Sequence, residues 1–142
     1  MENMSLERLL IKLRLELEKL CDGFDKDDAN KKSNLTLKMK MLFILSDCGE
    51  SSPNHIISTL GIAKSNLTIL CRSMFEEGII ASRKSETDKR NITYIITSKG
   101  EKQLKNYLNQ VKLDNINLFK NDKQILSLEK KIQDVLKLLN KD

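Results

Sequence analysis

The sequence of 142 residues contains few residues that interrupt regular structure, with only one proline and five glycines. It also has no tryptophan, four phenylalanines and two tyrosines, so a core must be built mainly from Leu, Ile, Val and Met. Scarce Gly and Pro favour long helices over a fold of many tight turns. A chain of this length is expected to form one ordinary domain with a substantial core.

The cysteines do not form a disulfide pattern. Cys21, Cys48 and Cys71 are widely spaced, and an odd number is a poor disulfide framework, which favours a reduced cytoplasmic location. No segment is apolar over enough residues to span a bilayer, and the N-terminal apolar residues are interrupted by charges. We therefore expect a soluble cytoplasmic protein that does not contact a membrane.

The sequence contains few residues and no recognised motif for catalysis or metal binding. His55 is the only histidine, and the neighbouring polar residues predict that it lies at the surface. One histidine and three scattered cysteines do not reproduce any zinc-site spacing. The sequence contains neither a Gly-rich phosphate loop nor a nucleophile elbow. We expect no enzymatic activity, no cofactor and no metal site.

Both ends of the chain show helical apolar spacing. Leucines recur at intervals of three and four from Leu6 to Leu20, and a second apolar flank predicts a helix buried on more than one side. Residues 21–34 are dense in charge, Asn and Gly and are expected to form a linker. The final segment has an a/d seam, formed by Ile125, Leu128, Ile132, Val135 and Leu139. Apolar helical ends predict a dimer in which they pack across a two-fold axis, and the alternative is a monomer in which they pair with each other.

The middle of the chain predicts a helix-turn-helix. A helix is expected from Leu35 to Ser46, with Leu35, Met39, Leu42 and Phe43 on one face. Ser52 and Pro53 then form a helix start, and Gly61 forms its end. A second helix begins at or near Ser65, turns Leu67, Leu70, Cys71 and Met74 inward, and ends at Gly78. The short turn between these helices has helix-turn-helix spacing.

Two strands follow this helix pair, Ile79 to Ser85 and Asn91 to Thr97. The predicted fold is therefore mainly α with a small two-stranded wing: a winged helix-turn-helix flanked by N- and C-terminal dimerisation helices. The predicted division is an N-terminal dimerisation helix at 1–20, a charged linker at 21–34, a DNA-binding domain at 35–100 and C-terminal dimerisation helices at 101–142.

The loop between the two strands contains the charged triplet Asp88, Lys89 and Arg90. In a winged helix, the second helix of the pair enters a major groove and the wing reaches sideways toward phosphates or the minor groove. The narrow, negative minor groove attracts a guanidinium. The triplet is therefore predicted to contact DNA, although a solvated turn is the alternative.

The segment Asp88-Lys89-Arg90, an alternating strand and Ile96-Thr97-Ser98-Lys99-Gly100 resembles the wing of the MarR-type transcriptional regulators. The stretch Leu60 to Thr68 resembles the turn and recognition helix of that family, and Phe75 to Ile80 resembles its exit into the wing. The resemblance covers Leu35 to Gly100 closely and the helical ends loosely. It implies a homodimer that binds double-stranded DNA at a pseudo-palindromic operator, usually as a repressor.

The resemblance also implies site residues. It predicts that Arg90 enters the minor groove and that Asp88 holds it in place. On the recognition helix it assigns contacts to Ser65, Asn66, Thr68, Ile69, Arg72 and Ser73. Lys84 and Lys89 are expected near phosphates. Ile69 departs from the family pattern, since many relatives carry Arg or another polar base reader there; the longer charged stretch at 21–34 and Ile96 in place of Leu are further departures.

Three points remain open in the sequence. The winged helix is alternatively a protein-interaction module that does not read DNA, which the apolar Ile69 favours. Regulation by thiol oxidation would depend on Cys21, because some relatives sense peroxide through a cysteine in the N-terminal helix. The resemblance implies a small phenolic or lipophilic effector, for which the sequence identifies no binding residues.

Overall fold

The computed structural model describes residues 5–25, 36–84, 91–115 and 121–140, and at 19–25 and 112–115 it describes the backbone alone. Six helices and three strands lie within these ranges. In chain order they are α1 (Leu6–Asp25), α2 (Leu37–Cys48), β1 (Glu50–Ser51), α3 (Pro53–Leu60), α4 (Lys64–Glu77), β2 (Ile80–Lys84), β3 (Ile92–Ile96), α5 (Ser98–Asn115) and α6 (Asp122–Leu139). None of the described helices is long and apolar enough to cross a membrane.

Helix α3 begins and ends where the sequence predicts. The Ser52 hydroxyl accepts a hydrogen bond from the backbone N–H of His55 at 3.2 Å, and Pro53 occupies the first helical position. The first N–H groups of a helix have no partner within the helix. The Ser52 hydroxyl supplies an acceptor for one of them, and Pro53 has no N–H group that would need one. Gly61 ends the helix in the left-handed conformation, with φ of 66°.

The predicted start of α4, at or near Ser65, is correct to within one residue. Its N-cap is Ala63, which has an extended backbone and no capping side chain, and Lys64 is its first residue. Ser65 therefore lies inside the first turn and does not cap the helix. The predicted end is confirmed, because Gly78 closes α4 with φ of 73°.

The wing hairpin is confirmed, with strands shorter than predicted. Strands β2 and β3 pair antiparallel, from Ile80 opposite Ile96 to Lys84 opposite Ile92. The sheet has a third strand that the sequence did not predict, because β1 pairs with the other edge of β3 in the order β1-β3-β2. Gly49, with φ of 82°, turns the chain out of α2 so that Glu50 and Ser51 can reach β3.

The core lies between α2, α3, α4, α5 and the sheet. Its buried members are Met41, Leu42, Leu45, Ile56, Leu67, Cys71, Met74, Ile79, Ile80 and Leu104. The predicted inward face of α4 is confirmed, with Leu70 partly buried beside it. The predicted face of α2 is wrong at Phe43, which is 51% exposed, because the buried side of that helix is formed by Met41, Leu42, Ile44 and Leu45. Leu35 lies outside the described residues.

The terminal helices are apolar but exposed in the single chain. The prediction that α1 is buried on more than one side does not hold for one chain, since Leu6 is 67% exposed and several other α1 leucines are also exposed. Helix α6 has no buried residue. The backbone of α1 continues to Asp25, into the stretch expected to be a linker, and residues 26–34 lie outside the described ranges. Helix α5 begins at Ser98 and contributes Leu104 and Tyr107 to the buried interior.

Candidate nucleic-acid interface

Helix α4 has a buried stripe and an opposite exposed face. Leu67, Cys71 and Met74 form the buried stripe, at helical spacing of four and three. At 100° per residue, Ser65, Ile69, Arg72 and Glu76 lie on the opposite side of the helix. All four side chains are exposed. The packing of α4 against the core therefore determines which residues can meet a ligand outside it.

The structure brings the predicted recognition-helix residues together on this exposed side. Ser65, Asn66, Thr68, Ile69 and Arg72 are exposed, and Ser73 is half-buried at the edge. The Thr68 hydroxyl donates a hydrogen bond to the Lys64 carbonyl oxygen at 3.2 Å. Its proton is therefore used within the helix, whereas the Thr68 oxygen remains able to accept.

Charge is distributed unevenly along α4. The cations Lys64 and Arg72 lie in its first two-thirds, and the carboxylates Glu76 and Glu77 lie in its last turn. Glu77 is paired with Lys38 of α2. A helix N-terminus also carries partial positive charge from its unpaired N–H groups. The N-terminal part of α4 is therefore the part suited to approach phosphates.

The described part of the wing presents two cations. Lys84, at the end of β2, is exposed as predicted. Arg83 was not identified from the sequence; its guanidinium lies 3.7 Å from the Glu50 carboxylate, which also accepts a hydrogen bond from Thr93 Oγ1 at 3.2 Å. Glu50 belongs to the unpredicted strand β1, and no pattern in the sequence indicates that it reaches the wing. Asp88, Lys89 and Arg90 lie outside the described residues, so their contacts stay predictions.

A network of hydrogen bonds connects the end of the recognition helix to the wing and to α5. Thr97 Oγ1 donates to the Gly78 carbonyl oxygen at 2.7 Å and accepts from the backbone N–H of Gly100 at 3.1 Å. Lys99 Nζ donates to the carbonyl oxygen of Glu77 at 2.7 Å. This arrangement gives a physical reason for the Thr-Ser-Lys-Gly sequence that follows β3.

Cys71 and Tyr94 interact beneath the recognition helix. Cys71 is 3% exposed, as predicted for a core residue, and burial raises the pKa of its thiol although a hydrogen bond from Tyr94 lowers it in part. Burial, followed by the nearby Cys71 sulfur, raises the pKa of Tyr94 to about 12. The Tyr94 ring also packs on Phe75, with ring centroids 5.9 Å apart. These groups are protonated at neutral pH and serve packing.

Cys48 and His55 lie close to each other. His55 is exposed, as predicted, and its Nε2 is 4.0 Å from the exposed Cys48 Sγ. The Cys21 side chain lies outside the described part of the chain, so thiol sensing stays untested. Among the described residues, no three His, Cys, Asp or Glu side chains are grouped closely enough to hold a metal ion.

A groove of about 480 Å³ lies where α2 and α5 meet. Its lining combines cations and apolar side chains and consists of Ser46, Glu101, Lys102, Leu104, Lys105, Leu108 and Asn109. Ser46 Oγ donates to the Glu101 carboxylate at 3.2 Å across it. The groove is separate from the exposed face of α4.

Comparison with known proteins gives a match in structure alone. No family model matches the sequence, and no curated protein does so either. Among solved structures, the multiple antibiotic resistance repressor MarR superimposes with a TM-score of 0.68 at 19% identity, over 95% of this chain and 97% of that one. The transcriptional regulator BldR from Sulfolobus solfataricus gives a TM-score of 0.61 at 22% identity, over 92% and 99% of the two chains.

A third similar structure is BpsR from Bordetella bronchiseptica, whose DNA binding is regulated by 6-hydroxynicotinic acid; it gives a TM-score of 0.63 at 13% identity, over 90% of this chain and 98% of that one. These matches cover the flanking helices as well as the wing and the helix pair. The fold is therefore a winged helix-turn-helix with helical ends. It is the MarR-type winged-helix fold, as the sequence resemblance predicted.

Proposed function

We propose that this protein is a homodimeric, sequence-specific DNA-binding transcriptional regulator, acting as a repressor on a pseudo-palindromic operator. The observation that supports this most strongly is the exposed side of α4, where the predicted contact residues Ser65, Ile69 and Arg72 lie opposite the buried stripe, within a MarR-type fold. In helix-turn-helix proteins this surface enters the major groove, with N-terminal residues against base edges. The proposal includes a cytoplasmic location and no enzymatic activity.

The dimer is supported by the apolar surfaces of the terminal helices. Exposed large apolar side chains on α1 and α6 include Leu9, Leu10, Leu13, Leu17, Ile132, Val135, Leu136 and Leu139. Contiguous apolar surface of this kind marks an interaction surface, and a two-fold axis would cover it with the same surface of a second copy. Such a dimer presents two recognition helices to half-sites about one helical turn apart, roughly 34–36 Å.

A small-molecule effector completes the proposal. The groove between α2 and α5 combines Lys102 and Lys105 with Leu104 and Leu108, a lining suited to a small lipophilic or phenolic anion. BpsR, which has a similar fold, is regulated by 6-hydroxynicotinic acid, a small aromatic acid. An effector bound here would release the operator by changing the separation of the two recognition helices.

The test is binding of the purified protein to the DNA upstream of its own coding region and to a random duplex of equal length. We expect tight binding to the first alone, with an affinity that falls steeply between about 50 and 200 mM salt because bound Lys and Arg release counterions. Arg90→Ala should weaken binding through the loss of the minor-groove contact, and Arg14→Ala, which removes an equal charge from α1, is the matched control. Equal, weak binding to both duplexes would contradict the proposal and favour a protein-interaction module.

A further inference from the structure

Ile69 occupies the centre of the exposed side of the recognition helix. It is 68% exposed, and by helical geometry it lies about 190° from the middle of the stripe formed by Leu67, Cys71 and Met74. The position opposite a buried stripe is normally polar, because it faces water. An isoleucine there leaves apolar area in water at the position where α4 projects furthest from the core.

The surroundings of Ile69 are polar and charged. Ser65 precedes it by one turn and Arg72 follows it by nearly one turn, on the same side of the helix, and both are exposed. The nearest other exposed large apolar side chain of α4, Phe75, lies about 120° around the helix and packs against Tyr94 instead. Ile69 is therefore one apolar side chain between polar and charged neighbours, and not part of an apolar patch of the size that marks a protein interface.

A ligand that fits this surface has negative charge at its edges and an isolated apolar group between them. Duplex DNA has this arrangement in the major groove, where phosphates border the groove and the 5-methyl of thymine is the apolar group among base edges. By helical geometry Lys64 and Arg72 lie on one flank of Ile69 and would face phosphates there, and Ile69 would lie toward the bases. Ile69 has no hydrogen-bonding group and cannot read the donor and acceptor pattern of a base.

We propose that Ile69 is a specificity-determining residue that packs on the 5-methyl group of a thymine in each half-site of the operator. This inference rests on the proposed function and adds the base that is read. The Thr68 hydroxyl donates its proton to the Lys64 carbonyl oxygen within the helix, so that proton is unavailable to a base acceptor. Ser65 and Asn66 then make the hydrogen bonds to base edges, and Ile69 distinguishes thymine from bases that lack the methyl group.

The experiment first selects tight-binding duplexes from a randomised library with the full-length protein. Each thymine of the selected half-site is then replaced by deoxyuridine, which removes the methyl group and leaves base pairing unchanged. Burial of one methyl-sized group is worth about 0.8 kcal/mol, so we expect a loss of about fourfold for one half-site and roughly 15-fold for both. The loss should occur at one thymine position per half-site and not at thymines outside it.

Paired protein variants assign the effect to Ile69. With Ile69→Ala the ratio of affinities for thymine and deoxyuridine duplexes should fall to about one, with an unchanged thermal unfolding midpoint because the side chain is exposed. Glu76→Gln, in the last turn of the same side of the helix and with no DNA contact assigned to it, is the matched control and should keep the wild-type ratio. Ile69→Arg should move the selected base from thymine toward guanine, since arginine pairs with guanine O6 and N7.

The outcomes separate this inference from the proposed function. If the library yields a specific sequence but deoxyuridine binds equally well at every thymine, the reading by Ile69 is wrong and the regulator stands. If Ile69→Ala keeps the wild-type ratio, a different residue reads the methyl group and the inference is also wrong. If no sequence is enriched over random DNA, both the inference and the proposed function are contradicted.

Discussion

Gly100 lies directly against the backbone of Ile79. A β-carbon added at Gly100 would be 2.2 Å from the Ile79 carbonyl oxygen and 2.7 Å from Cγ1 of Ile96. Ile79 is fully buried, and its carbonyl oxygen accepts a hydrogen bond from the backbone N–H of Thr97 at 3.1 Å. The backbone of Ile79 is therefore held in place by the surrounding core and by this hydrogen bond. This close approach allows α5 to begin against the second residue after α4.

The contact predicts that Gly100→Ala destabilises the protein. In an ordinary helix this substitution stabilises by about 0.5–1 kcal/mol, but the added methyl group must here displace buried backbone, for which overpacking costs roughly 1–3 kcal/mol. The free energy of unfolding in denaturant, measured at one protein concentration because a dimer's stability depends on it, checks the sign. Asn106→Ala, at an exposed position of the same helix, is the control and should be neutral or stabilising. A stabilised Gly100→Ala variant would contradict the close approach.

Thr97→Val should cost about 0.5–2 kcal/mol, the usual range for loss of a capping hydroxyl. The substitution keeps the branched shape but removes the donor to the Gly78 carbonyl oxygen and the acceptor for the Gly100 N–H. Denaturant unfolding measures the loss, and Thr97→Ser should restore most of it because serine supplies the same oxygen. Equal stability of the valine and serine variants would mean that the hydroxyl contributes little.

Arg72→Ala should weaken DNA binding across sequences and lower its salt dependence. Removal of one phosphate contact reduces the slope of log K against log salt by about 1, which becomes roughly 2 for a dimer with two copies. Fluorescence anisotropy over a salt series gives this slope. Arg14→Ala, whose side chain is 82% exposed on α1, removes the same charge and should leave the slope unchanged. An identical decrease in both variants would indicate a general charge effect and not a contact.

We expect Val135→Asp on α6 to convert the proposed homodimer into a monomer. Val135 belongs to the predicted a/d seam and is exposed in the single chain, so a two-fold interface would bury the new carboxylate without a partner. Light scattering coupled to gel filtration measures the mass. Gln133→Asp introduces the same charge at an exposed polar position of the same helix and should stay dimeric. Wild-type mass for Val135→Asp would exclude this face of α6 from the interface.

Alkaline pH should destabilise the protein through Tyr94. Burial raises its pKa to about 12, whereas an unfolded chain releases the phenolic proton near pH 10. The folded state thus holds the proton more tightly, so this contribution to stability is complete below about pH 10 and is lost as the pH rises toward 12. Unfolding followed at several pH values checks it, and Tyr94→Phe should show a shallower loss across that window. An unchanged profile would assign the alkaline loss to other groups.

The positions that the sequence predicts correctly are those with strong local chemistry. Ser52 followed by Pro53 defines a helix start, and Gly61 and Gly78 supply the left-handed residues that end α3 and α4. The inward face of α4 follows from helical spacing alone. The overall fold was also predicted correctly, because the order of the terminal helices, the helix pair and the wing along the chain is that of the MarR-type fold.

The predictions from sequence are wrong where the local structure depends on contacts between residues far apart in the chain. Strand β1 has two residues and exists because β3 offers a free edge, which no sequence period reveals. Phe43 was assigned to the core face of α2, yet that face is selected by packing against the rest of the core. Likewise, the apolar spacing of α1 predicts burial, yet Leu6 and other α1 leucines are exposed in the single chain.

Glu77 fixes the last turn of the recognition helix from two directions. Its carboxylate binds Lys38 of α2, and its carbonyl oxygen accepts from Lys99 of α5. Helix α4 is thereby connected at its C-terminal end to two helices that also line the groove beside Lys102 and Lys105. Under the proposed function, a displacement of α2 or α5 would be transmitted to α4 through these two contacts, and it would reorient the exposed side chains of α4 without a rearrangement inside that helix.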